Sequence, residues 1–122
     1  MRPDYKSVDF DRGPFLVFYE LTRACDLACA DCRACAQPAR HPQELSPESS
    51  RTIVDQLLGF DKPPLLVLTG GDPLKRDDVF DLTAYATSRG LRVAMTPSAT
   101  PLVTRDALAK LLFLRGKLLV VF

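Results

Sequence analysis

Four cysteines fall between positions 25 and 35, and none occurs elsewhere in the 122 residues. Their spacing is Cys25-x3-Cys29-x2-Cys32-x2-Cys35. A disulfide framework spreads its cysteines to staple distant segments. A tight group of thiols instead points to a metal or cluster site in a reducing compartment, which makes a cytoplasmic location the expectation. Thiolates are soft ligands that suit iron-sulfur clusters, zinc or cuprous copper. A short loop wraps three corners of a cubane more readily than four. Three ligands would leave one iron open to a substrate. A closed four-thiolate site would be a structural element or an electron carrier.

Two further stretches could carry chemistry. Thr69-Gly70-Gly71-Asp72-Pro73 joins two glycines to a carboxylate, and Thr96-Pro97-Ser98 ends on a hydroxyl. Glycine lets backbone approach a ligand without a Cβ clash. His41 is the only histidine and lies in a proline-rich loop, where a solvated role is expected. Lys75-Arg76-Asp77-Asp78 reads as a solvated helix start, and Arg23 as a surface charge or one in the site's outer layer.

The elements around these residues alternate. Apolar runs at 14–19, 64–68, 91–95 and 117–122 read as strands. Continuous rather than alternating runs suggest strands covered on both faces. Between them lie three helices. Ser46-Pro47-Glu48 starts the first with an N-cap hydroxyl and a proline at the first helical position. Its apolar stripe is Ile53, Val54, Leu57 and Leu58, and Gly59 lies near its stop. Asp77 or Asp78 caps the second, whose apolar positions include Val79, Leu82 and Ala86, with Gly90 just past its end. Thr104 caps the third, which runs to about Leu114. The order β-α-β-α-β-α-β implies an α/β fold with parallel strands and crossover helices. In such folds ligands gather at the carboxyl ends of the strands. The cysteine loop and both turns fall on that rim.

The other numbers exclude more than they select. Sixteen basic and 15 acidic residues leave a formal charge of +1, which disfavours a nucleic-acid partner. Hydrophobic residues are 47% and charged residues 25%, an ordinary globular mixture. No apolar run approaches the ~18 residues of a membrane helix, and the N-terminus is unlike a secretory signal.

Leu21-Thr22-Arg23-Ala24-Cys25-Asp26-Leu27-Ala28-Cys29-Ala30-Asp31-Cys32 resembles the cluster loop of the radical S-adenosylmethionine (radical SAM) superfamily. The Gly70-Gly71-Asp72-Pro73 turn resembles that family's Gly-Gly-Glu-Pro turn, and Thr96-Pro97-Ser98 stands in the place of its Thr-Asn-Gly-like turn. The surrounding sequence is most similar to the branch with peptide-modifying and haem-pathway enzymes, often carrying a SPASM-type cluster domain. The resemblance runs from about residue 13 to about residue 108. It implies a partial TIM-type (β/α) barrel, with residues 1–13 as a lead-in and 14–122 as an incomplete, truncated core of about four strands. The Ser-Leu-Asp-Gly-like motif expected near the fourth strand is missing.

The resemblance also implies roles. Cys25, Cys29 and Cys32 would bind a 4Fe-4S cluster, and Cys35 would have no part in it. S-adenosylmethionine would take the open iron, with Gly70, Gly71, Asp72 and Ser98 around it and Asp72 accepting from its ammonium group. A low-potential electron donor such as a flavodoxin or ferredoxin is implied, and a substrate of peptide or tetrapyrrole class. Two residues depart from the pattern. Asp72 is one methylene shorter than the family's glutamate, and Asp31 stands where a large ring residue is usual. The alternative from the residues alone is a small electron-transfer module or a zinc knuckle without catalysis of its own.

Overall fold

The computed structural model describes residues 5–113 and 118–121. A single turn of 3-10 helix, Tyr5–Ser7, precedes four strands and three α-helices. The strands are β1 (Leu16–Thr22), β2 (Leu65–Gly70), β3 (Val93–Met95) and β4 (Leu118–Val120). The helices are α1 (Pro47–Leu58), α2 (Val79–Ser88) and α3 (Arg105–Phe113). All strand pairs are parallel, in the order β1-β2-β3-β4.

Local signals explain the helix ends. The Ser46 side chain accepts from Ser49 N at 3.1 Å, and Pro47 opens α1. Thr104 Oγ1 accepts from Ala107 N at 3.1 Å to start α3. Past α2, Gly90 takes φ 88°, and Gly90 N and Leu91 N donate to Thr87 O and Ala86 O. That pair of bonds is a Schellman end. Asp78 occupies the N-cap position of α2 but makes no capping bond, because Arg76 holds its carboxylate. The expected helix end at Leu114 and the outer strand residues Lys117 and Phe122 lie outside the described residues.

The core lies on one side of the sheet. Leu66, Leu68, Val93 and Met95 pack with Val54 and Leu57 of α1, Val79, Leu82 and Ala86 of α2, and Leu111 of α3. Sequential strand order with every helix on one side is the winding of a (β/α) barrel. A doubly wound sheet would reverse its order part-way.

The opposite face corrects the expectation of strands covered on both sides. Phe18 and Leu119, on the two outer strands, are 63% and 58% exposed, whereas Val67 and Ala94 between them are buried. The side chains of β1 therefore alternate between an open face and a packed one. Its outer position in the sheet explains this, since it has a neighbour on one side only.

Candidate functional site

The cysteine segment leaves β1 at the carboxyl end of the sheet and is stitched closed at its base. Cys25 N donates to Gln37 O at 2.8 Å, and Gln37 N donates to Arg23 O at 2.7 Å. The Glu44 carboxylate gathers the same region. It accepts from Thr22 Oγ1 at 2.6 Å, Arg23 N at 3.3 Å, Arg40 Nε at 2.6 Å and His41 N at 3.2 Å. Burial raises the Glu44 pKa, but these bonds outweigh it and hold the carboxyl below its ordinary 4.5.

Arg76 is the residue that sequence reasoning missed. It is buried, not solvated, with 1% of its surface exposed. Its Nη1 donates to Leu21 O at 3.1 Å and to Leu45 O at 3.0 Å, while Nε and Nη2 form a two-point contact with Asp78 at 2.6 Å. One guanidinium thus ties the chain entering the cysteine segment to the chain leaving it. The bond to Asp78 raises the Arg76 pKa, and the same bond lowers that of Asp78. Lys75 is half-buried. It pairs with Asp26 of the cysteine loop at 2.8 Å, and that bond raises its pKa.

The two glycines of the second turn are required by the protein's own backbone. Gly70 has φ 136°, and a Cβ there would stand 2.1 Å from Thr22 O. A Cβ on Gly71 would stand 2.4 Å from Ala24 O. The close approach lets Gly71 N donate to Thr22 O and Asp72 N to Ala24 O, both at 2.8 Å. The turn and the cysteine segment are therefore one backbone-bonded unit.

Asp72 is fully buried. Its Oδ1 accepts from Leu74 N at 3.1 Å and Ser98 N at 3.4 Å, and its Oδ2 from Thr100 Oγ1 at 3.0 Å. The carboxylate locks the second turn to the third. Ser98 Oγ donates to Gly71 O at 2.9 Å and stands 3.5 Å from Cys25 Sγ. Thr96 Oγ1 donates to Thr69 Oγ1 at 2.8 Å just below. Cys25, Gly71, Asp72 and Ser98 are thus brought together.

The remaining thiols lie further out. Cys25 is buried, Cys32 half-buried, and Cys29 and Cys35 are exposed, all four as free thiols. Cys35 adopts φ 47° and donates its N–H to Cys32 O. Among the described residues no three His, Cys, Asp or Glu side chains are grouped to hold a metal ion. The donor chemistry nevertheless suits an iron-sulfur cluster. Leu27 N donates to Cys25 Sγ and Ala36 N to Cys32 Sγ, each at 3.4 Å, and N–H···S bonds of this kind accompany cluster sulfurs. His41 is exposed and accepts from Gln43 N through Nδ1. A cavity of about 300 Å³ lies at the other end of the sheet, lined by Arg12, Phe15, Asp61, Lys62 and Arg92 among others, and holds none of these residues.

The chain is 40% identical over 92 residues to an AdoMet-dependent heme synthase of Nitratidesulfovibrio vulgaris, covering 75% of this chain and 25% of that protein. It is 36% identical over 101 residues to an Fe-coproporphyrin III synthase of Methanosarcina barkeri, covering 83% and 25%. Over this stretch the chain belongs to the radical SAM superfamily. It is also 33% identical over 105 residues to a mycofactocin maturase of Mycolicibacterium smegmatis, covering 84% and 26%. No protein-family model matches. The chain spans about a quarter of the length of the curated relatives it matches. Among the described residues no helix is long and apolar enough to cross a membrane.

Proposed function

We propose that Cys25, Cys29 and Cys32 hold a 4Fe-4S cluster and that the rim around them binds S-adenosylmethionine. The observation that carries this reading is the backbone bonding of the three-cysteine segment to the Gly-Gly-Asp-Pro turn, in a chain related to AdoMet-dependent enzymes. When bound, such a cluster supplies one electron for cleavage of S-adenosylmethionine to methionine and a 5′-deoxyadenosyl radical, which takes a hydrogen atom from the substrate.

The chain's own residues would do the positioning. Arg76 and Glu44 close the base of the segment, so the three thiols project from a fixed platform. Gly70 and Gly71 bring the second turn against that platform and border the cofactor position. The burial of Asp72 supports a role in holding the second and third turns together rather than a direct contact with the cofactor's ammonium group. Residues 14–122 form part of the radical SAM core in this reading, with 1–13 as its lead-in. Cys35 stays outside the cluster. The names of the relatives favour a tetrapyrrole substrate, with a peptide as the second choice. A flavodoxin- or ferredoxin-like donor supplies the electron, and the free thiols fit a reducing, cytoplasmic setting.

Anaerobic reconstitution with iron and sulfide tests the reading. A dithionite-reduced sample should give the electron paramagnetic resonance signal of a 4Fe-4S cluster, altered when S-adenosylmethionine is added. Stoichiometric zinc held by four thiolates, or a cluster signal indifferent to S-adenosylmethionine, would contradict it.

A further inference from the structure

The third turn reaches a sulfur. Among the three proposed ligands only Cys25 is buried, with 8% of its surface exposed. Ser98 Oγ stands 3.5 Å from its Sγ, and the two residues are 73 positions apart in the chain. The backbone holds the residue there, since Ser98 N donates to the buried Asp72 carboxylate. In the metal-free chain the one hydroxyl proton goes to Gly71 O at 2.9 Å, and it must turn from that carbonyl to reach the sulfur. Leu27 N is the other donor to the same sulfur, at 3.4 Å. A metal-bound thiolate carries no proton. Of the pair Ser98 Oγ and Cys25 Sγ, only the hydroxyl can then donate. A bond from a neutral O–H to an anionic sulfur is charge-assisted and competes well with one to a neutral carbonyl.

Resting on the cluster assignment above, we infer that Ser98 donates a hydrogen bond to the Cys25 sulfur and raises the reduction potential of the cluster. Hydrogen bonds to cluster sulfurs are a recognised control on potential. They stabilise the form with more negative charge on sulfur, which is the reduced form. Ser98 acts in this account through a ligand, as a positioning and tuning residue.

The test is a redox titration of the reconstituted chain with dithionite, followed by electron paramagnetic resonance. Ser98→Ala should move the midpoint to a more negative value by about a tenfold change in the reduction equilibrium, ~59 mV for one electron. Ser98→Thr keeps the hydroxyl and should restore the wild-type midpoint. Iron content should survive in both variants. An unchanged midpoint in Ser98→Ala, or an equal shift in Ser98→Thr, would overturn the inference. So would loss of the S-adenosylmethionine response at constant midpoint, which would assign Ser98 to the cofactor. Failure of the wild-type chain to form a 4Fe-4S cluster would instead remove the assignment on which the inference rests.

Discussion

The base and the tip of the cysteine segment are built in opposite ways. At the base, residues 21–25, 37 and 44–45 meet the second turn and Arg76 through backbone bonds and buried charge. At the tip, residues 26–34 are mostly exposed, and their ties to the rest of the fold include the side-chain pairs Asp26–Lys75 and Arg33–Glu20. The base costs nothing further to organise when a ligand arrives. The tip leaves Cys29 exposed, and in the proposed reading the cluster would order it. The protein invests its stability in where the loop begins and ends, not in the shape of its crown.

That contrast can be broken most severely at Arg76. Arg76→Met leaves the half-buried Asp78 and two carbonyls without their donor, a loss of about 3 kcal/mol, the low end for breaking a buried pair. Denaturant unfolding should show a large fall in midpoint. A change below 1 kcal/mol would mean that the guanidinium does not hold the base. Gly71→Ala comes next. Its Cβ would meet Ala24 O at 2.4 Å, forcing the turn away from the segment. Overpacking of this kind costs about 3 kcal/mol, and the Asp72 amide should lose its protection from hydrogen exchange.

Glu44 offers a smaller effect with a pH signature. Glu44→Ala should cost about 2 kcal/mol at neutral pH through lost charge-assisted bonds. The folded-state pKa of Glu44 lies below 4.5, so its contribution is present above that value. It fades as pH falls through the depressed folded value. Asp78, also lowered, adds to the same acid loss. Wild type and Glu44→Ala should therefore converge in stability on acidification, and parallel pH curves would contradict the assignment. At the tip, Arg33→Ala removes an exposed pair with Glu20. It should change stability by less than about 1 kcal/mol.

The sequence reveals features whose cause is local. Ser46-Pro47, Thr104 and Gly90 act within a turn of their own helices, so composition and spacing were enough to read them. The alternation of strand and helix gave the parallel sheet, and the cysteine spacing gave the loop. Arg76 was illegible because its burial depends on two carbonyls, those of Leu21 and Leu45, that only the folded chain brings together. Among four consecutive charged residues nothing marks it out. The surroundings of Asp72 were illegible for a related reason: its carboxylate accepts from Thr100 and from the Ser98 amide, which only the folded chain brings to it. Gly70 and Gly71 were expected to admit a ligand. They also admit the backbone of Thr22 and Ala24. The open face of β1 was missed because apolar composition does not tell an outer strand from an inner one.

The central claim is that three cysteines, not four, make the site on this platform. Iron and sulfide counting on the reconstituted chain, compared between Cys29→Ala and Cys35→Ala, tests it directly. The account predicts close to four irons per chain in wild type and Cys35→Ala, and loss of the cluster in Cys29→Ala. Equal loss in both variants, or one zinc held by all four thiols, would contradict it.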